Sequence, residues 1–95
     1  MANTINFPSM RVVKAWQIAS TDSNSSQALD GIAKKVSIRA KTADLRFNFG
    51  AAASSSTFFI GKDERLFLDI PYKGCTLQTL RDASTSGHLE VIEYD

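Results

Sequence analysis

The side chains best suited to chemistry in this 95-residue chain are one cysteine, one histidine and two close pairs of acidic residues. Cys75 lies in Gly74-Cys75-Thr76-Leu77. A nucleophilic thiol needs a positive, accessible setting and a base, so Cys75 reads instead as a small, partly buried apolar residue. As the only cysteine it excludes an intrachain disulfide and a multi-cysteine metal site. His88 would need carboxylates around it to hold a metal, and the nearest acidic residue before it, Asp82, is separated by freely turning residues. Asp63-Glu64 and Glu90 with Glu93 are the acidic pairs. Glycosidase carboxylates must face each other across a cleft, which spacing alone does not supply, so these read as solvated surface groups. Asp22-Ser23-Asn24 begins like a calcium loop but lacks its glycine and terminal glutamate.

Gly50-Ala-Ala-Ala-Ser-Ser-Ser56 has the look of a phosphate cradle but holds one glycine and no Gly-Lys-Ser/Thr ending. A phosphate loop needs glycines so that its amides can wrap the anion, and a lysine to meet the charge. The run is therefore expected to be a connection. Serines are abundant, yet none sits in a Gly-x-Ser-x-Gly elbow. No set of residues takes named catalytic roles in one pocket, so no enzyme, cofactor or metal is expected.

The totals suit one domain. Area scaling at 10.4 kDa gives roughly 5,400 Å² exposed on folding against roughly 15,000 Å² for the extended chain, enough burial for one modest core. Hydrophobic residues at 43% and charged residues at 22% match a globular rather than a disordered chain. Eleven basic against 10 acidic residues leave +1, and the only adjacent basic pair is Lys34-Lys35, so nucleic acid is not an expected partner. Residues 1–8 lack a charged and an apolar signal region, and no apolar run approaches a membrane span, so a cytoplasmic origin without membrane contact is expected.

Alternation supplies the elements. Residues 1–10, with Ile5, Phe7 and Met10 around Pro8, read as an extended arm. Residues 11–18 form a strand with Val12, Trp16 and Ile18 in one phase. Ser20 to Gln27 is a polar, solvent-facing turn, and 28–33 admits a short helical turn broken at Asp30-Gly31. Val36, Ile38 and Ala40 point inward on one strand, Leu45, Phe47 and Phe49 on the next. The change of phase requires a hairpin turn or bulge at Lys41 to Asp44. Further strands are expected at 57–60, 64–70, 76–81 and 89–94, with Leu66, Leu68, Leu89 and Val91 inward. About seven short strands with close turn signals give an all-β, antiparallel sandwich or small barrel over residues 11–95.

The second face carries apolar groups as well. Phe59, Phe67, Ile92 and Tyr94 fall in the phase that should meet water. Either both sheet faces are partly covered, or the phase slips at a bulge, or these residues form an apolar patch for another chain, which is the expected interface. Ile5 and Phe7 would anchor the arm on a neighbour.

From Val36 onward the chain resembles a type of small virion protein of tailed bacteriophages. The likeness rests on Thr42-Ala43-Asp44, Arg46 and Phe49-Gly50, on the Ala/Ser-rich loop, on Pro71, Gly74 and Leu77, and on Ser84-Thr85-Ser86-Gly87 with Leu89, Val91 and Glu93. The resemblance implies a jelly-roll-like β-sandwich working as a structural part of a phage particle, first of all a capsid decoration or cement protein. Its implied partners are the major capsid protein or other virion proteins and further copies of itself, as a homo-oligomer (dimer or trimer). Its implied place is the capsid surface, after synthesis in the bacterial cytoplasm. A tail or head–tail adaptor protein is the second choice within that class. A small carbohydrate-binding module is the alternative outside it, with Trp16, Tyr72 and Tyr94 as the aromatics able to meet a sugar ring.

Overall fold

The computed structural model describes residues 11–95, which form eight strands and no helix. The expected arm, with Ile5 and Phe7, lies outside the described residues. The strands are β1 (Val12–Ser20), β2 (Ser25–Ala28), β3 (Lys35–Lys41), β4 (Leu45–Phe49), β5 (Phe58–Ile60), β6 (Arg65–Asp69), β7 (Thr76–Arg81) and β8 (Gly87–Tyr94). They make two four-stranded sheets with antiparallel pairing, β1-β8-β3-β6 and β2-β7-β4-β5. Ile18, Val36, Ile38, Leu89 and Val91 of the first sheet share one buried cluster with Leu45, Phe47, Ile60 and Leu77 of the second. The arrangement is sandwich-like, as an alternating pattern with one apolar face per strand demands.

Every connection except β4–β5 carries the chain from one sheet to the other. This explains the phase change after Ala40. Lys41 to Asp44 is neither a hairpin nor a bulge, because β3 and β4 belong to different sheets and each turns its own inner side to the core. Thr42 makes the crossing with a φ of 80°, a region that a β-branched residue seldom enters.

Three other expectations are corrected. Ser20–Gln27 is not one exposed turn: Ser20 is fully buried and Ser25–Ala28 forms β2 on β7. Residues 28–33 make no helical turn; Asp30 Oδ1 accepts from the Ile32 amide and Asp30 O from the Ala33 amide, closing a tight turn. Val12 is exposed although Trp16 and Ile18 face in, because the register with β8 slips between Val12 and Lys14. The strand expected at 76–81 is present as β7, a regular strand with Leu77 and Thr79 in the inner phase and Leu80 outward. Of the expected core, Val36, Ile38, Leu45, Phe47, Leu89 and Val91 are buried, and Phe49, Leu66 and Leu68 pack at its margin.

The core holds polar groups, each with a partner. Ser20 Oγ and Thr79 Oγ1 lie 2.7 Å apart, and Thr79 Oγ1 donates to Arg46 O. Glu93 is 0% exposed, in phase with Leu89 and Val91, and is not the surface carboxylate expected. Its two carboxyl oxygens accept from the Trp16 indole N–H and from the Asp30 amide. Glu93 thereby joins β8 to β1 and to the β2–β3 turn through one buried carboxyl group.

Candidate interaction surface

The outer face of the first sheet follows from its register. Ile92 of β8 stands between Ala15 of β1 and Ser37 of β3, and Ser37 stands beside Phe67 of β6. The next row towards one end holds Tyr94, Lys35 and Asp69; the row towards the other holds Gln17, Glu90, Arg39 and Arg65. Phe67 is 63% exposed, and its ring lies 6.3 Å from that of Tyr94. Ser37, though outward, is fully buried: Arg65 Nη1 donates to its Oγ at 2.9 Å and the Tyr94 hydroxyl lies 3.4 Å away. The result is an apolar centre of Phe67, Tyr94 and Ile92 on a closed polar floor.

Charges frame that centre. Lys35 Nζ meets Asp69 Oδ1 at 2.6 Å, while Arg39 and Lys41 approach Asp63 at 3.9 and 3.5 Å. Arg39 Nε is buried with no hydrogen-bond partner among the described residues. Exposed ion pairs of this kind contribute little to stability, so their role is to give the face its pattern of charge.

Phe59 does not belong to this patch. It lies on β5 in the other sheet, where the Arg46 guanidinium sits 5.1 Å over its ring. Arg46 is itself held by Asp82 at 2.7 Å and by Thr57 O at 3.0 Å. Alternation put Phe59 in the outward phase but did not tell which of two outward faces it joins.

Phe58, which the sequence reading left aside, is 59% exposed and stacks on Phe47 with ring centroids 5.3 Å apart. It opens an apolar groove of about 360 Å³ with Phe49, Leu68 and Pro71, on the side of the sandwich between β5 and β6. Its parity with Ile60 was the available signal. A second groove, of about 580 Å³, lies at one end of the sandwich and is lined by Ile32, Ile70, Tyr72 and Lys73 among others. The Tyr72 hydroxyl there is held above its ordinary value near 10, first by hydrogen bonding with the Cys75 side chain and then by its charge.

The other chemical candidates are not brought together. Cys75 is fully buried, and Glu90 lies on the outer face while Glu93 lies in the core. Among the described residues no three His, Cys, Asp or Glu side chains could hold a metal ion. The Ala/Ser run is a connection, but a pinned one: Ala53 is buried, its amide donates to Asn24 Oδ1, and Ser54 bonds with Thr57. Trp16, Tyr72 and Tyr94 make no common platform, since Trp16 bonds inward, Tyr94 faces outward and Tyr72 lies in the β6–β7 connection.

Comparison of the chain with protein-family models, with curated proteins and with solved structures found no match.

Proposed function

We propose that this chain is a non-enzymatic jelly-roll subunit of a tailed-phage particle, a capsid decoration or cement protein that self-associates and binds the shell. The strand order supports the jelly-roll part of the reading. β1/β8, β2/β7, β3/β6 and β4/β5 pair antiparallel, one pair nested within the next, as when one long ribbon is folded at β4–β5 and rolled into two sheets. The apolar centre at Phe67, Ile92 and Tyr94 carries the binding part, an exposed Phe67 with half-buried Ile92 and Tyr94 beside it on the outer sheet face. The resemblance over residues 36–95 supplies the particle.

The test is quantitative mass spectrometry of purified virions from a lysate of the cells that make the chain. Many copies per particle on the shell are expected; a few copies would mean a tail or head–tail position, and absence refutes the reading. Binding to emptied capsids is expected to fall for Phe67→Ser while the variant melts normally.

A further inference from the structure

β6 is the outer strand of its sheet, hydrogen-bonded on one side to β3. That ladder determines which backbone groups remain unused. Ala40 N donates to Glu64 O, and Ile70 N donates to Lys34 O, so the even-numbered residues here face β3. In an antiparallel ladder alternate residues turn their amide and carbonyl the other way. Arg65, Phe67 and Asp69 therefore aim theirs away from the sheet, and among the described residues no strand lies beyond them. The other edges are blunted in the usual ways. β5 has three residues, β2 has four, and β1 is irregular between Val12 and Lys14. β6 has five residues in unbroken register.

The sequence of this edge, Arg65-Leu66-Phe67-Leu68-Asp69, is complementary to its own reverse. A second β6 running antiparallel, with Phe67 opposite Phe67, sets Arg65 against Asp69 at both ends and Leu66 against Leu68 between them. The same register brings the unused amides and carbonyls face to face, for about six new hydrogen bonds. Sliding the copy by two residues would set Arg65 against Phe67 and Asp69 against Asp63, or Asp69 against Phe67 and Arg65 against Pro71, and a parallel copy would set like charge beside like. We propose that two copies of this chain pair through β6 about a two-fold axis at Phe67, joining their four-stranded sheets into one.

The side chains are already in place for it. Asp69 keeps an 80% exposed carboxylate beside Lys35, and Arg65 is steadied by Ser37 with further donors in hand. On the inner side, the groove lined by Phe47, Phe49, Phe58 and Leu68 opens next to this edge, where the partner's leucines arrive. An isologous contact of this kind closes on itself and leaves no β6 edge free to recruit a third chain.

This deepens the self-association half of the proposed function and rests on it. The experiment is sedimentation equilibrium of the full chain and of two charge reversals, Arg65→Glu and Asp69→Arg. Each reversal alone sets like charges together at both ends of the contact and is expected to weaken the dimer at least about tenfold. Mixed in equal amounts, the two variants regain opposite charges at both ends, and a heterodimer near the parental affinity is expected. Misfolding of either variant cannot produce that recovery. Amide exchange of the parental chain gives a second readout that needs no variant. Arg65, Phe67 and Asp69 should slow as concentration rises, while Leu66 and Leu68 stay protected throughout.

A parental chain monomeric up to about 1 mM, the weak end of specific association, overturns the proposal. So do dimers indifferent to both reversals, or variants that fold but do not recover on mixing. Shell binding is scored on the same samples. Intact shell binding without a dimer overturns the β6 pairing alone, and a dimer that ignores the shell overturns the phage reading alone.

Discussion

Replacing Glu93 by Gln tests whether the buried carboxyl group ties the sheet to the β2–β3 turn. The side chain is fully buried and its two oxygens serve two donors, the Trp16 indole and the Asp30 amide. Glutamine keeps the shape but turns one acceptor into a donor, so one of the two N–H groups is left facing another N–H. Stranding a buried donor costs about 1–3 kcal/mol. For a domain of this size that lowers the melting temperature by roughly 5–20 °C. Trp16→Phe removes one donor and leaves one oxygen bare, at a similar cost of about 1–3 kcal/mol. Because Glu93→Leu with Trp16→Phe deletes both ends of one bond, the double variant should lose less than the sum of the two singles, with a coupling of about 1–3 kcal/mol. Urea melts of the four chains in that cycle measure it. A glutamine variant melting within about 2 °C of the parent, or losses that simply add to within about 0.3 kcal/mol, would show that Glu93 is not the tie described.

Three further outcomes are expected. Phe47→Ala should cost about 3–5 kcal/mol in denaturant melts, because the ring is buried between the sheets; a loss under about 1 kcal/mol would put β4 the wrong way round. Gly87→Ala drives a Cβ into the Lys41 carbonyl oxygen, so β8 must move at its start and a loss of about 1–3 kcal/mol should follow, read by thermal melting. Asn24→Ala frees the Ala53 amide and should cost about 1 kcal/mol while speeding proteolysis within residues 51–56; unchanged cleavage would mean that the Ala/Ser connection is not held by Asn24.

The strands were legible where apolar and polar residues alternate, as in Val36 to Ala40, Leu45 to Phe49 and Leu66 to Ile70. β2 was not, because Ser25-Ser26-Gln27-Ala28 buries almost nothing and is a strand only by virtue of pairing with β7. Glu93 was misread although its parity with Leu89 and Val91 was plain, since its partners come from β1 and from a turn 63 residues earlier. The surface was half legible. Phe67, Ile92 and Tyr94 do meet on one face, but parity carries no label for the sheet, and so Phe59 was grouped with residues that lie across the sandwich from it.

The position of β8 bears on how the chain is made. β8 is the last of these strands to be synthesised, yet it lies inside its sheet, between β1 and β3. β3 can pair with β6, and β4 with β5, while translation is still under way; β1 can take its place in the first sheet only after Gly87–Tyr94 has emerged. Until then β1 and the β8-facing side of β3 are open edges, the state in which a nascent β-protein is most exposed to pairing with a neighbour. Closing a β1–β8 contact across so much intervening chain is also a slow search, since loop entropy is lost before the ladder repays it. Rapid synthesis of many copies on one message would therefore load the cell with half-built sheets, and yield should depend on expression rate more steeply than stability alone implies.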